Sequence, residues 1–286
     1  MLFADEITEY ILKLRTDAEV FNTSILPGKC IYIEEKRIMF HLLPIPFDGL
    51  SNISPLFFQK QYLEYALRGV QIVHLWQDYW ETKKPHVQSR IAVLLGTYQR
   101  IFARNTDIMR ISRDIASDFL NSNHLQGAVN SRYNYGLYHN KQLVSVVSFS
   151  SGRKFLRNNQ YHYSFELSRY ANLLNFRVTG GLGKLINYFI KEVNPDDIMT
   201  YADLDWATGA GYKALNFKIT EITHPQIFWI NPADMFRYYP HRLPQHLIDD
   251  FNKQKKYDNL DDFLKENGYF KIYNSGNLKY ILNISG

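Results

Sequence analysis

Apolar residues fall at helical spacing over residues 1–15, where Ile7, Tyr10, Ile11 and Leu14 share a face. They do so again over 182–193, where Leu182, Leu185, Ile186, Phe189, Ile190 and Val193 line up. Strand spacing is clearest at Tyr161, Tyr163, Phe165 and Leu167, which alternate with polar residues as a half-buried strand requires. Residues 29–43 hold two β-like runs, CIYIE and RIMFHLL, joined at Glu35-Lys36-Arg37. Residues 57–67 read as a helix stopped by Gly69, and 70–76 as a buried strand, which completes a small α/β unit near Trp80.

A second unit follows. Its pattern predicts a helix over 112–120 with Ile115, Phe119 and Leu120 inward, and strands at 135–138, 143–149, 198–201 and 217–222. In the tail, HRLPQHLIDDFNKQ predicts a helix and GYFKIYNSGNLKYIL a hairpin turning at 274–277. The whole is an α/β (α+β) chain divided as residues 1–80, a basic helical connector at 81–111, and 112–286.

Composition adds that the cores are well filled, since 45% of residues are hydrophobic and the 15% that are aromatic suit strands. The lone cysteine, Cys30, leaves no disulfide framework and no cysteine zinc site. The acidic start MLFADEITEY reads as no signal peptide, and no apolar run approaches a membrane span, so a cytoplasmic protein is expected. The net charge is +5, and residues 60–113 alone hold nine Lys/Arg against four acids. Lys83, Lys84, Arg90, Arg100, Arg104, Arg110 and Arg113, interleaved with Trp80, Tyr98 and Phe102, form the stripe expected of a nucleic-acid surface. A solvated linker helix would carry the same charges.

The strongest local signal is FRVTGGLGKLINYFIKEV. Gly180, Gly181 and Gly183 open the amphipathic helix, so backbone N–H groups can approach a phosphate, and Lys184 adds a full positive charge. A ligand-free strand-to-helix turn explains the glycines equally well. An alternating strand, a G-x-G turn, a helix, a strand and then GYKALNF together resemble the GNAT acyltransferase family. The resemblance implies that the glycine loop holds the pyrophosphate of acyl-CoA. Tyr212 and Phe217 match the family's later Y-x-x-x-G-F segment, whereas Asn216 replaces its glycine and Arg177 stands one residue early.

NHLQG (123–127), GLYHNKQLVSVVSF (136–149), ELSRYAN (166–172) and TYADLDWATGAGYKALNF (200–217) more closely resemble GNAT-like proteins of phages and mobile elements, Mom-type DNA-modifying enzymes among them. That resemblance implies functional roles for His124, Tyr138 and Asp203, around a transition metal or an acyl-transfer centre. Acyl transfer to an amine needs a base and a site for the developing oxyanion. Asp203 or Glu166 could be that base, and His124 a base or a ligand. Each has a plainer role open to it: His124 as a helix C-terminal cap, Asp203 as an N-cap, Glu166 as an ion-pair partner of Arg169.

The N-terminal half, through IYIEEKRIMF and RGVQIVHLWQDYWETKKPHVQSRI, resembles the Vsr-like PD-(D/E)xK domain of phage homing endonucleases. Those nucleases hold Mg²⁺ or Mn²⁺ with acids on two adjoining strands. Cys30 and His41 stand where the acids belong, and neither supplies the hard oxygen that Mg²⁺ prefers. The resemblance thus implies a nuclease fold without hydrolytic activity, in a bacterial or phage-infected cell, still able to bind DNA or a protein partner. Glu34, Glu35 and Asp48 are the acids left for a residual activity.

Overall fold

In the computed structural model, residues 2–47, 49–157, 159–254 and 256–284 are described; Asp48 lies outside them. The fold is mixed α/β, with several sheets and eight α-helices among the described residues. The chain separates into two compact units. The first joins Met1–Lys84, Asp203–Thr208 and Thr223–Asn277; the second joins Pro85–Ala202, Gly209–Ile222 and Leu278–Gly286.

The first unit begins with α1 (Phe3–Leu14), which buries Phe3, Ile7 and Ile11. Strands β1 (Glu19–Asn22), β2 (Lys29–Ile33) and β3 (Ile38–Leu43) run antiparallel, then α2 (Phe57–Leu67) returns the chain so that β4 (Gln71–Trp76) lies parallel to β3. All six residues of β3 are buried, as expected of a strand covered on both faces. Helix α3 (Gln77–Leu95) breaks at Lys83 (φ −139°, ψ 33°), two residues before Pro85, whose ring cannot follow a regular turn. The boundary between the units falls here, between Lys84 and Pro85.

The connector is not all helical. After α3 come β5 (Gln99–Phe102) and β6 (Asp107–Arg110), whose alternation is too brief to register as strand in the sequence. Helix α4 (Arg113–Asn123) follows, with the Ser112 hydroxyl accepting the Ile115 N–H as its N-cap. Phe119 and Leu120 are buried as expected, but Ile115 is exposed and Ala116 takes its place inside.

The second unit continues through β7 (Tyr133–His139), β8 (Gln142–Phe149), β9 (Arg153–Arg157), β10 (Gln160–Asn172), β11 (Phe176–Thr179), α5 (Gly181–Val193), β12 (Asp197–Asp203), α6 (Ala210–Lys213) and β13 (Lys218–Ile222). The chain then builds β14 (Ile227–Ile230), β15 (Arg237–Tyr238), α7 (Gln245–Lys253), α8 (Leu260–Glu266) and β16 (Phe270–Tyr273), and closes with β17 (Asn277–Asn283). The tail is not a hairpin. Strand β16 pairs with β14 in a three-stranded sheet, while β17 pairs with β13 in the large sheet. Between them Asn274 Oδ1 accepts the N–H groups of Gln226 and Gly276, holding the strands apart where a tight turn would have joined them.

The large sheet runs β13-β17-β12-β10-β8-β7-β6, with β9 paired to the first half of β10. Its core on one face stacks Phe149 on Phe189 of α5 (centroids 3.8 Å apart, 5° between planes), with Phe165 edge-on at 5.3 Å. On the α4 side, Ile111, Ala116, Phe119, Leu120, Val146 and Ala171 form one cluster. Gly209 (φ +70°) opens α6, and a Cβ there would lie 2.0 Å from the Tyr280 hydroxyl oxygen. Gly209→Ala is therefore expected to destabilise the second unit by about 2 kcal/mol or more. Hydrogen exchange of the β12 and β17 amides measures that loss.

Candidate functional site

Strand β10 changes partners and phase halfway along. It pairs parallel with β12 only over Ser164–Glu166 against Asp197–Met199. Against β8 its register slips between Leu167 and Arg169, so Ser168 is a bulged residue. An extra residue turns the following side chains to the other face. Phe165 faces Phe189 of α5, yet Ala171, at the same parity, packs in the α4 cluster. Beside the bulge, Thr200 of β12 reaches across and its hydroxyl donates to Leu167 O at 2.9 Å. Beyond Glu166 and Met199 the two parallel strands are no longer paired to each other, which leaves their C-terminal halves unjoined by ladder hydrogen bonds.

Buried and half-buried hydroxyls and rings cluster beside those halves. The Tyr212 hydroxyl lies 3.5 Å from Thr200 Oγ1, and its ring packs against Phe217 and Tyr280 at 5.5 Å each. Burial raises the Tyr212 pKa, with the Thr200 hydrogen bond opposing. Tyr170 donates to Asn172 Oδ1 at 3.0 Å and is raised in the same way. Both phenols therefore keep their protons at neutral pH. Glu166, the last residue of β10 paired with β12, is half-buried and forms no ion pair among the described residues.

The glycine turn sits where β10 and β11 feed α5. Gly180 (φ +80°) takes the left-handed conformation that favours glycine. A Cβ on Gly181 would meet Val178 Cγ1 at 2.9 Å, and one on Gly183 would meet Leu215 Cδ2 at 3.0 Å, so both glycines also serve close packing. Lys184 does not face outward: its ammonium donates to Ala103 O at 2.9 Å and to Thr106 O. Exposed cations stand instead on β11, which leads into the turn, and on its partner strand β5. Arg177 on β11 is in register with Arg100 on β5, and both guanidinium groups lie about Tyr98, with centroid distances of 5.7 Å. Their charges hold the Tyr98 phenol below its ordinary pKa, the Arg100 hydrogen bond first.

His124 caps α4: its N–H donates to Leu120 O and its Nδ1 accepts the Gln126 N–H at 3.1 Å. Burial, then the charges of Arg169, Arg90 and His86, push its pKa down to about 3, so the imidazole is neutral near pH 7. Arg169, one residue past the bulge, donates to Gly127 O and Ser168 O, which ties the NHLQG turn to β10. Tyr138 packs on the α4 cluster. His124, Tyr138 and Glu166 thus belong to the second unit, whereas Asp203 belongs to the first. Among the described residues no group of three His, Cys, Asp or Glu side chains is placed to hold a metal.

Asp203 is part of a polar centre inside the first unit. Its Oδ1 accepts the Asp205 N–H at 3.0 Å and its carbonyl accepts Trp206 and Ala207 N–H groups, as a turn-capping Asp does. Asp205 is buried and accepts the Ser275 N–H at 2.8 Å. Burial and then the Asp203 charge push its pKa up to about 8. Arg237 grips Asp78 through both carboxylate oxygens at 2.7 and 2.8 Å, with its guanidinium 4.0 Å from the Tyr79 ring centroid. Across the first sheet, Cys30, His41 and His74 stand in register and are all buried. His41 Nδ1 lies 2.9 Å from His74 Nδ1.

The basic stripe is divided. Lys83 and Lys84 belong to the first unit, where Lys84 pairs with Glu6; the arginines belong to the second. There Arg110 pairs with Glu192 at 2.9 Å, Arg90 is half-buried beside His124, and Arg100, Arg104 and Arg113 are exposed. Sequence reasoning missed the Ser168 bulge, the Thr200 bridge and the Arg100–Arg177 pair. The signal for the bulge was present: Arg169 interrupts the inward series Phe165, Leu167, Ala171.

No family model and no curated relative matches the chain. Among solved structures it is similar to a GNAT family acetyltransferase from Elizabethkingia anophelis with acetyl-CoA bound (12% identity, TM-score 0.32) and a Bacillus subtilis acetyltransferase in complex with CoA (11%, 0.35). It is also similar to an IAA acetyltransferase from Bacillus cereus (12%, 0.33). Each match covers 63% of this chain and 99% of the other. Likenesses this distant carry no argument. No helix among the described residues is long and apolar enough to cross a membrane.

Proposed function

We propose that the second unit is a GNAT-type acyltransferase domain that takes acyl-CoA in the cleft between β10 and β12 and transfers the acyl group to an amine. The observation that carries this reading is the strand order β6-β7-β8-β10-β12-β17-β13, with a bulge in β10 where its parallel pairing to β12 ends. A bulge frees backbone N–H groups from the ladder, here at the point where the two strands part, and such groups suit the oxyanion of an attacked thioester. The Tyr212 hydroxyl, one hydroxyl away from Leu167 O through Thr200, keeps its proton and supplies a hydrogen bond to the departing thiolate. Glu166 takes the proton of the attacking amine. The helix N-terminus at Gly181–Gly183 and the Arg100–Arg177 pair supply the positive potential for the pyrophosphate, since Lys184 is held by backbone carbonyls.

The first unit has the element order α1-β1-β2-β3-α2-β4, which supports a PD-(D/E)xK-like scaffold. Its would-be metal positions, Cys30 and His41, are buried, and we read the unit as a non-hydrolytic scaffold joined to a nucleic-acid-associated acyltransferase. Calorimetric titration with acetyl-CoA tests the reading. Sub-millimolar binding is expected, weakened about tenfold by Arg177→Ala. Tyr212→Phe is expected to slow thiol release about 10- to 100-fold while leaving acetyl-CoA affinity near the wild-type value. No heat at millimolar ligand would sink it.

A further inference from the structure

At the other end of α5, a cavity of about 370 Å³ lies in the second unit, lined by Tyr161, Tyr163, Phe165, Val193, Asn194 and Asp196. Its size falls in the roughly 300–1,000 Å³ range of small-ligand sites. The three rings occupy alternate positions of β10 and so share one face, yet only Phe165 is buried: Tyr161 is 65% exposed and Tyr163 44%. A core strand would not leave two tyrosines in water. On the same face, the cross-strand partner of Tyr163 is Lys154, whose ammonium lies 3.7 Å from the Tyr161 centroid and 5.4 Å from that of Tyr163. Asp196 Oδ2 accepts the Tyr163 N–H at 2.7 Å, which fixes the strand against the cavity.

We infer that this cavity binds one base of a single-stranded nucleic acid, stacked on the tyrosines, with its neighbouring phosphate on Lys154. The chemistry narrows the occupant. A cation is disfavoured by Lys154, and a bare anion by Asp196. A flat ring bearing polar edges and attached to a negative group suits the tyrosine rings, the polar Asn194 and Asp196 of the lining and Lys154 beside them. Rings on a strand face with a cation beside them are how sequence-tolerant single-strand binders hold bases. A duplex keeps its bases stacked internally and offers none to such a pocket. The inference stands on the cavity and on Lys154 beside its tyrosines, independent of the proposed acyl-CoA site and of the arginine stripe.

Fluorescence anisotropy of the full chain with a labelled single-stranded 12-mer tests it, alongside the corresponding duplex and AMP. The expected result is preference for the single strand. Tyr161→Ala and Tyr163→Ala should each weaken it about 5- to 150-fold, with Tyr163→Phe near wild type. Lys154→Ala should reduce the salt slope by about 0.7. Should Tyr163→Ala unfold, as circular dichroism would reveal, the more exposed Tyr161→Ala decides. Unchanged binding in the alanine variants, equal or tighter binding of the duplex, or binding of AMP without binding of the 12-mer would overturn it. Parallel titration of Arg104→Ala and Arg113→Ala separates failure of this pocket from failure of the stripe.

Discussion

Asp78→Ala is expected to destabilise the first unit by about 3–5 kcal/mol, the typical result of leaving one member of a buried ion pair alone. Arg237 has both of its short hydrogen bonds on this carboxylate, and its guanidinium also lies against the rings of Tyr79 and Phe228. Losing Asp78 leaves a charge that neither ring can replace. The double variant Asp78→Leu with Arg237→Met should recover most of the loss, because it removes both charges together. The readout is unusually clean. All four tryptophans (Trp76, Trp80, Trp206 and Trp229) belong to the first unit and are buried, so urea unfolding followed by tryptophan fluorescence reports that unit directly.

Acidification should act on the same unit through His41 and His74. Burial pushes the His41 pKa down to about 4 from 6.5, and it holds that of His74 well below its ordinary value, the His41 charge adding to the effect. With folded values below the unfolded one, the unfolded chain binds more protons once pH falls below about 6.5. Stability is therefore full above that pH and declines toward pH 4, by about 3 kcal/mol from His41 alone. Asp205 works in the opposite sense: its raised pKa favours the folded state as pH falls below about 8. Subtracting the curve of a His41→Leu, His74→Phe variant isolates the pair. A difference that does not change between pH 7 and 4.5 would contradict the assignment.

Much of the scaffold was legible because its signals are local. Helix α2 falls at 57–67 as the spacing predicts, and the long apolar stripe of α5 sets its whole length. What was not legible depends on pairing between distant residues. The tail strands look like a hairpin until Asn274 is seen to take its partners from Gln226 and Gly276. Likewise nothing in the sequence around Asp203 signals its partners within the first unit, where it caps the turn to Asp205, whose own partner Ser275 lies 70 residues away. Lys184 looked like a phosphate ligand by position, yet its ammonium satisfies carbonyls of the β5–β6 turn, which no spacing rule anticipates.

The bulge shows the same limit at the candidate site. Strand parity alone places Phe165 and Ala171 on one face, and a single extra residue at Ser168 puts them on opposite faces while the β10–β12 pairing ends. The parting of β10 from β12 is thus a product of register, visible only once partners are known.

Hydrogen exchange with and without acetyl-CoA tests the cleft most directly. Bound ligand should slow exchange of the amides at 167–172 and 200–202 and of the first turn of α5 at 181–183, with little change in α1, α2 or β2–β4. Protection absent from 167–172 at saturating acetyl-CoA, or confined to the first unit, would contradict acyl-CoA binding in the cleft.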